Sequence, residues 1–102
     1  MVLDRSEGDR IAVALGPRKA VILLNHGILT AGPTVEAAAW WFIAMDNAAR
    51  TQLLAEAAGA PRPIPTETAR LTAGQVGSAR GGLLSFQPML DWIVAQEPDL
   101  LD

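Results

Sequence analysis

The alternation of apolar and polar positions divides the chain into short segments with clear punctuation. From Asp4 to Leu15, the apolar residues Ile11, Ala14 and Leu15 share one side, which predicts a short helix. Asp4 and Ser6 are its candidate N-caps, with Asp9 three residues after Ser6. Gly16-Pro17 is a stop signal, because glycine suits the left-handed position after a helix and proline cannot continue one. Ala20 to Leu24 is an unbroken apolar run of strand length. Asn25-His26-Gly27 interrupts it with residues that turn easily, and Ile28 to Ala31 resumes it as a second strand.

Gly32-Pro33 closes that unit, and Thr34 opens the longest element. Val35 to Ala58 contains no glycine or proline, and alanine is abundant. Thr34 is its expected N-cap, Glu36 sits where the positive end of the helix dipole favours an acid, and Gly59 ends it. Asp46 and Arg50 are spaced to pair along one face. Trp40, Trp41, Phe42, Ile43 and Met45 cover most of the circumference of the first half. A helix apolar nearly all round is buried on more than one side. A sheet is therefore expected on one side, and another layer or subunit on the other.

Ala60 to Pro65 reads as a stiff extended connector. Thr66 is positioned to cap a weaker helix reaching about Arg80, diluted by Gly74 and Gly77. Gly81-Gly82 reads as a break, and a last helix is expected from Ser85 or Phe86 to Gln96, closed by Pro98. The inventory is α/β, with two short strands and about four helices in one partial domain. Residues 1–60 form a strand-turn-strand-long helix core, and residues 61–102 a helical tail. Two strands alone are marginal and leave open edges, so a larger α/β domain or an assembly is expected around them.

Composition narrows the function. The chain has 102 residues, of which 50% are hydrophobic and 19% charged, so a single folded domain is the starting point. The net charge of -3 leaves no basic surplus for phosphate backbones, so nucleic-acid binding is not expected. There is no apolar run long enough to span a bilayer and no apolar leader core near Met1, so no membrane association is expected. With no cysteine there is neither a disulfide nor a thiolate metal site, which fits a cytoplasmic protein.

Candidate chemistry is sparse. His26 is the single histidine, placed at a strand interruption where a side chain can be aimed. It reads either as a turn residue with a hydrogen-bonded ring or as one ligand of a metal, which needs three or four. Glu36 and Asp46 are the nearest oxygen ligands in sequence, yet serve better as first-turn and surface acids. No phosphate-loop pattern is present, and Ser6, Ser78 and Ser85 lack a nucleophile-elbow setting. Trp40-Trp41-Phe42 suits core or subunit interface more than a ligand pocket. Arg18 and Lys19 read as solvated strand ends or an anion contact, and Asp91 and Glu97 as surface acids.

The run from Ala20 to Gly59 resembles the second half of the class II aldolase/adducin domain. Asn25-His26-Gly27 matches the family's strand-ending turn, Ile28 to Ala31 its next strand, Gly32-Pro33-Thr34 its helix start, and Gln52-Leu53 its late helical segment. Leu15-Gly16 and Lys19-Ala20-Val21 also fit, and the likeness is strong from Gly8 to Gly59 and loose after Pro61. The resemblance implies a layered α-β-α fold. It also implies zinc or a similar divalent ion held by three histidines, two from a His-x-His pair and the third at His26. Such a metal chelates neighbouring oxygens of a sugar-phosphate-like substrate and stabilises an enediolate during carbon-carbon cleavage or epimerisation.

The His-x-His pair, the acid and the phosphate loops belong to the family's first half, which this sequence does not contain. It also lacks tyrosine, which some members use as a proton donor. The chain thus corresponds to the C-terminal ~40% of a domain of about 200–250 residues. The full-length form is expected to be a metal-dependent lyase or epimerase. The isolated chain is expected to be inactive, to bind no metal stably, and to need a complementing N-terminal half or further copies of itself. The alternative is a non-catalytic, adducin-like oligomerisation module.

Overall fold

A hairpin at residues 20–30 anchors the structure, a computed structural model that describes residues 5–101. β1 (Ala20–Leu23) and β2 (Gly27–Thr30) pair antiparallel, with Ala20 opposite Thr30 and Leu23 opposite Gly27. The first strand ends one residue earlier than its apolar run, because Leu24 enters the turn and is 86% exposed. α1 (Arg5–Leu15) precedes the hairpin and packs on β1. Its expected cap at Asp4 lies outside the described residues, and Ser6 falls inside the helix. Gly16 takes φ 50, the left-handed stop predicted for it.

α2 (Val35–Ala58) has the predicted boundaries. Thr34 is extended at φ -136 and ψ 159, and its hydroxyl accepts from the Ala37 N–H at 3.2 Å. The Thr30 hydroxyl donates to the Ala38 carbonyl at 2.9 Å, fastening β2 to the first turn of α2. Asp46 and Arg50 pair at 2.8 Å, as their spacing requires.

The tail departs from expectation. α3 (Thr66–Val76) ends at Gly77, earlier than Arg80, and its N-cap is Pro65, with no side-chain cap bond. α4 (Ala79–Gln96) begins well before Ser85 and runs through Gly81-Gly82, and a short 3-10 turn, Pro98–Leu101, follows it. Ser78 explains the early start, since its hydroxyl accepts from the Gly81 N–H at 2.9 Å. Packing explains the glycines. A Cβ on Gly82 would lie 3.1 Å from Trp41 Cζ2 and 3.3 Å from Ala37 Cα, so only glycine admits this close crossing of α4 over α2. Tertiary contact here overrides the poor helix propensity of glycine.

The layers are therefore α1 on β1, and α4 on α2 on β2. The long helix does meet sheet on one side and another helix on the other, but only along its first half. Ala37 is the one fully buried hydrophobic side chain among the described residues. Leu53 and Leu54, toward the C-terminal end of α2, are 68% and 74% exposed, and Trp92 on α4 is 66% exposed. Both strands keep a free edge in this two-stranded sheet.

Two glycines should respond in opposite directions to an added side chain. Gly82→Val should lower stability by about 1–3 kcal/mol through overpacking against Trp41 and Ala37. Gly74→Ala has nothing within 4 Å of its new Cβ and should raise stability by about 0.5–1 kcal/mol. Urea denaturation of both variants checks the pair. Equal effects would remove the close-crossing explanation.

Candidate functional site

The turn that carries His26 is built from backbone chemistry. β1 ends at Leu23, whose carbonyl accepts the His26 N–H at 3.0 Å. Closing the turn in so few residues requires left-handed conformations. Asn25 supplies one at φ 60, which asparagine tolerates better than most residues. Gly27 supplies φ 131, open only to glycine. The sequence Asn25-His26-Gly27 thus fixes the place of His26 without constraining its ring.

The imidazole is exposed, and no described hydrogen bond involves it. This corrects the reading of His26 as a turn residue whose ring is held by the protein. The ring borders an open cleft of about 420 Å³ between α1 and β1. Glu7 and Arg10 of α1 line the same cleft, with Ile11, Ala14 and Val21 forming its apolar wall. Glu7 and Arg10 are paired with each other across one helical turn. Both are well exposed, so the pair contributes at most about 1 kcal/mol. Sequence reasoning passed over these two residues. Their spacing three apart signals a helix-surface pair, but nothing in the sequence says that α1 turns this face toward the His26 turn.

The other candidates lie elsewhere. Glu36 and Asp46 are on α2 and do not border the cleft, and Asp46 is taken by Arg50. Ser78 caps α4, and Asp91 accepts from Gln87 at 2.8 Å on the surface of that helix. Arg18 and Lys19 are not free strand ends. Arg18 donates to the Ala14 carbonyl at 3.1 Å, and Lys19 donates to the Gly77 carbonyl. In each case a cation meets the carbonyl end of a helix, where the dipole favours it. Trp41 belongs to the helix crossing, while Phe42 beside it is 45% exposed.

A divalent ion can be tested against this donor set. His26 offers one free imidazole, suited to a single coordination position. Among the described residues, no group of three or more His, Cys, Asp or Glu side chains could hold a metal. The described residues therefore do not fit a zinc ion by themselves. No helix among them is long and apolar enough to cross a membrane.

Comparison with known proteins gives this turn its context. The family described as the class II aldolase and adducin N-terminal domain matches residues 2–53. The decarboxylase NovR of Streptomyces niveus is 49% identical over 100 residues, covering 98% of this chain and 37% of that protein. A 4-hydroxy-3-prenylphenylpyruvate oxygenase/4-hydroxy-3-prenylbenzoate synthase of Streptomyces roseochromogenus subsp. oscitans is also 49% identical, covering 98% and 36% respectively. The likeness thus continues through the tail and is not confined to the stretch before Pro61. In three dimensions, the L-fuculose 1-phosphate aldolase of Glaciozyma antarctica PI12 superposes with a TM-score of 0.85 at 38% identity. It covers 89% of this chain and 36% of its own. The chain spans little more than a third of the length of these relatives. It belongs to the class II aldolase and adducin N-terminal domain family.

Proposed function

We infer that this chain supplies the His26 corner of a divalent-metal site whose other ligands come from outside it. We further infer that the completed protein breaks a carbon-carbon bond in a small substrate bearing neighbouring oxygens. The observation that carries this reading is the exposed imidazole of His26, held on a tightly specified turn and engaged by no other side chain. A structural histidine would be expected to use its ring within the fold. The exposed apolar residues of α2 and α4 support a covering partner, either a complementing N-terminal half or a second copy of this chain. The same exposed surface supports the alternative, an adducin-like oligomerisation module without activity.

The sugar-phosphate-like substrate class draws on the 38% identity to the fuculose phosphate aldolase. A second class is favoured by the higher identity, 49%, to the decarboxylase and to the oxygenase/synthase. The name of the latter specifies an aryl 2-oxo acid. Both classes place two oxygens on adjacent carbons, which one divalent ion can chelate. That shared feature is the chemistry proposed for the completed site.

The isolated chain should retain well under one zinc per chain after dialysis, measured by elemental analysis. Stoichiometric retention would mean that it needs no outside ligand. His26→Ala should leave the isolated chain within about 0.5 kcal/mol of wild-type stability, because the ring is exposed and unbonded.

A chimera tests the role directly, with this chain replacing the corresponding segment of NovR. It should bind a divalent ion and cleave either an aryl 2-oxo acid or a sugar phosphate. His26→Ala in the chimera should lower both metal content and turnover by about 100-fold or more, beyond the loss typical of a disturbed outer-shell group. Full activity without the imidazole would sink the assignment. A chimera that assembles but turns over neither substrate would favour the oligomerisation module.

A further inference from the structure

We propose that Lys19 is a latch that holds the α3–α4 joint against the body of the fold, and that α3 is an arm whose position depends on it. The side chain of Lys19 reaches two places at once. Its ammonium lies 4.5 Å from the centroid of the Trp41 ring, over the aromatic face, and it donates to the carbonyl of Gly77. Lys19 immediately precedes β1, Trp41 is on α2, and Gly77 is the C-cap of α3. One cation therefore ties the hairpin, the long helix and the tail together.

The latch stands out against its surroundings. The Lys19–Gly77 bond spans 58 positions, while the other described side-chain hydrogen bonds join residues no more than eight apart. α3 buries none of its residues and shares no extended contact surface with another element. It has 11 residues, below the roughly 12–15 at which an isolated helix becomes even marginal in water. A proline-rich connector lies on its N-terminal side, and Gly77 ends it on the other. α4, by contrast, packs along α2 and has its own hold.

The positive charge strengthens one interaction and makes the other possible. The Gly77 carbonyl lies at a helix C-terminus, where a cation satisfies an otherwise unpaired acceptor and meets the negative end of the dipole. The Trp41 face attracts the same cation through its quadrupole. Replacing Lys19 by a side chain with neither charge nor N–H donor removes both together and frees α3. This follows whether or not His26 binds a metal.

Hydrogen exchange on the full chain tests the latch, comparing wild type with Lys19→Met and Lys19→Arg. In Lys19→Met, amides at residues 73–77 should exchange about ten-fold faster, the scale of one charge-assisted hydrogen bond with a cation–π contact. Amides in the first half of α2 should not change. Lys19→Arg, which keeps the charge and an N–H donor, should lose less protection there than Lys19→Met. Unchanged exchange at residues 73–77 in Lys19→Met would overturn the proposal, as would loss of protection spread evenly over β1 and α2. So would wild-type amides at 73–77 that exchange as fast as an unstructured chain.

Discussion

The structure depends on how closely two backbones approach Ala37. Ala37, in the first turn of α2, is fully buried. Gly32 meets it from the β2 side, where an added Cβ would lie 3.3 Å from the Ala37 methyl. Gly82 meets it from α4, where an added Cβ would lie 3.3 Å from the Ala37 Cα. A larger residue at any of these positions would push apart the end of the hairpin, the start of the long helix, or the tail helix. Thr34 and Thr30 then set the orientation, one capping α2 and the other bonding the Ala38 carbonyl. These contacts sit within a few residues of each other, so a small number of short interactions define the whole arrangement.

Away from that point, the apolar content of the chain is not used up. Half of the residues are hydrophobic, yet side chains such as Ile22, Leu53, Leu54 and Trp92 are mostly in water. Each large apolar side chain left exposed forgoes roughly 1.5–3 kcal/mol of burial. Scattered exposure of this kind is ordinary, but open sheet edges together with a long helix bare over its second half are not. The chain spans little more than a third of the length of its relatives.

What could be read from the sequence follows the range of the interactions. The hairpin, the boundaries of α2, the Thr34 cap and the Asp46–Arg50 pair are local. Asn25, Gly27 and Gly59 each announce a backbone conformation that few other residues adopt so readily, and Thr34 announces a side-chain cap. The Gly81-Gly82 pair was misread because, taken locally, two glycines are the signature of a break. Gly82 instead serves the crossing with Trp41 and Ala37, about forty positions upstream, while the Gly81 N–H bonds the Ser78 hydroxyl. Lys19 was hidden for the same reason, since its partners lie on α2 and at the end of α3. At the candidate site, position was legible and surroundings were not. The turn placed His26, but the neighbouring Glu7 and Arg10 come from the packing of α1 on β1.

The division between fold and chemistry in this chain has a physical basis. The ring of His26 contributes nothing visible to holding the structure together, while the residues on either side are constrained by backbone angles that Asn25 and Gly27 meet at little cost. A turn of this kind offers a fixed attachment point with a free side chain. Neither neighbour restricts what that side chain meets. A fold of this kind therefore does not by itself fix a reaction, which depends on the groups that meet the imidazole.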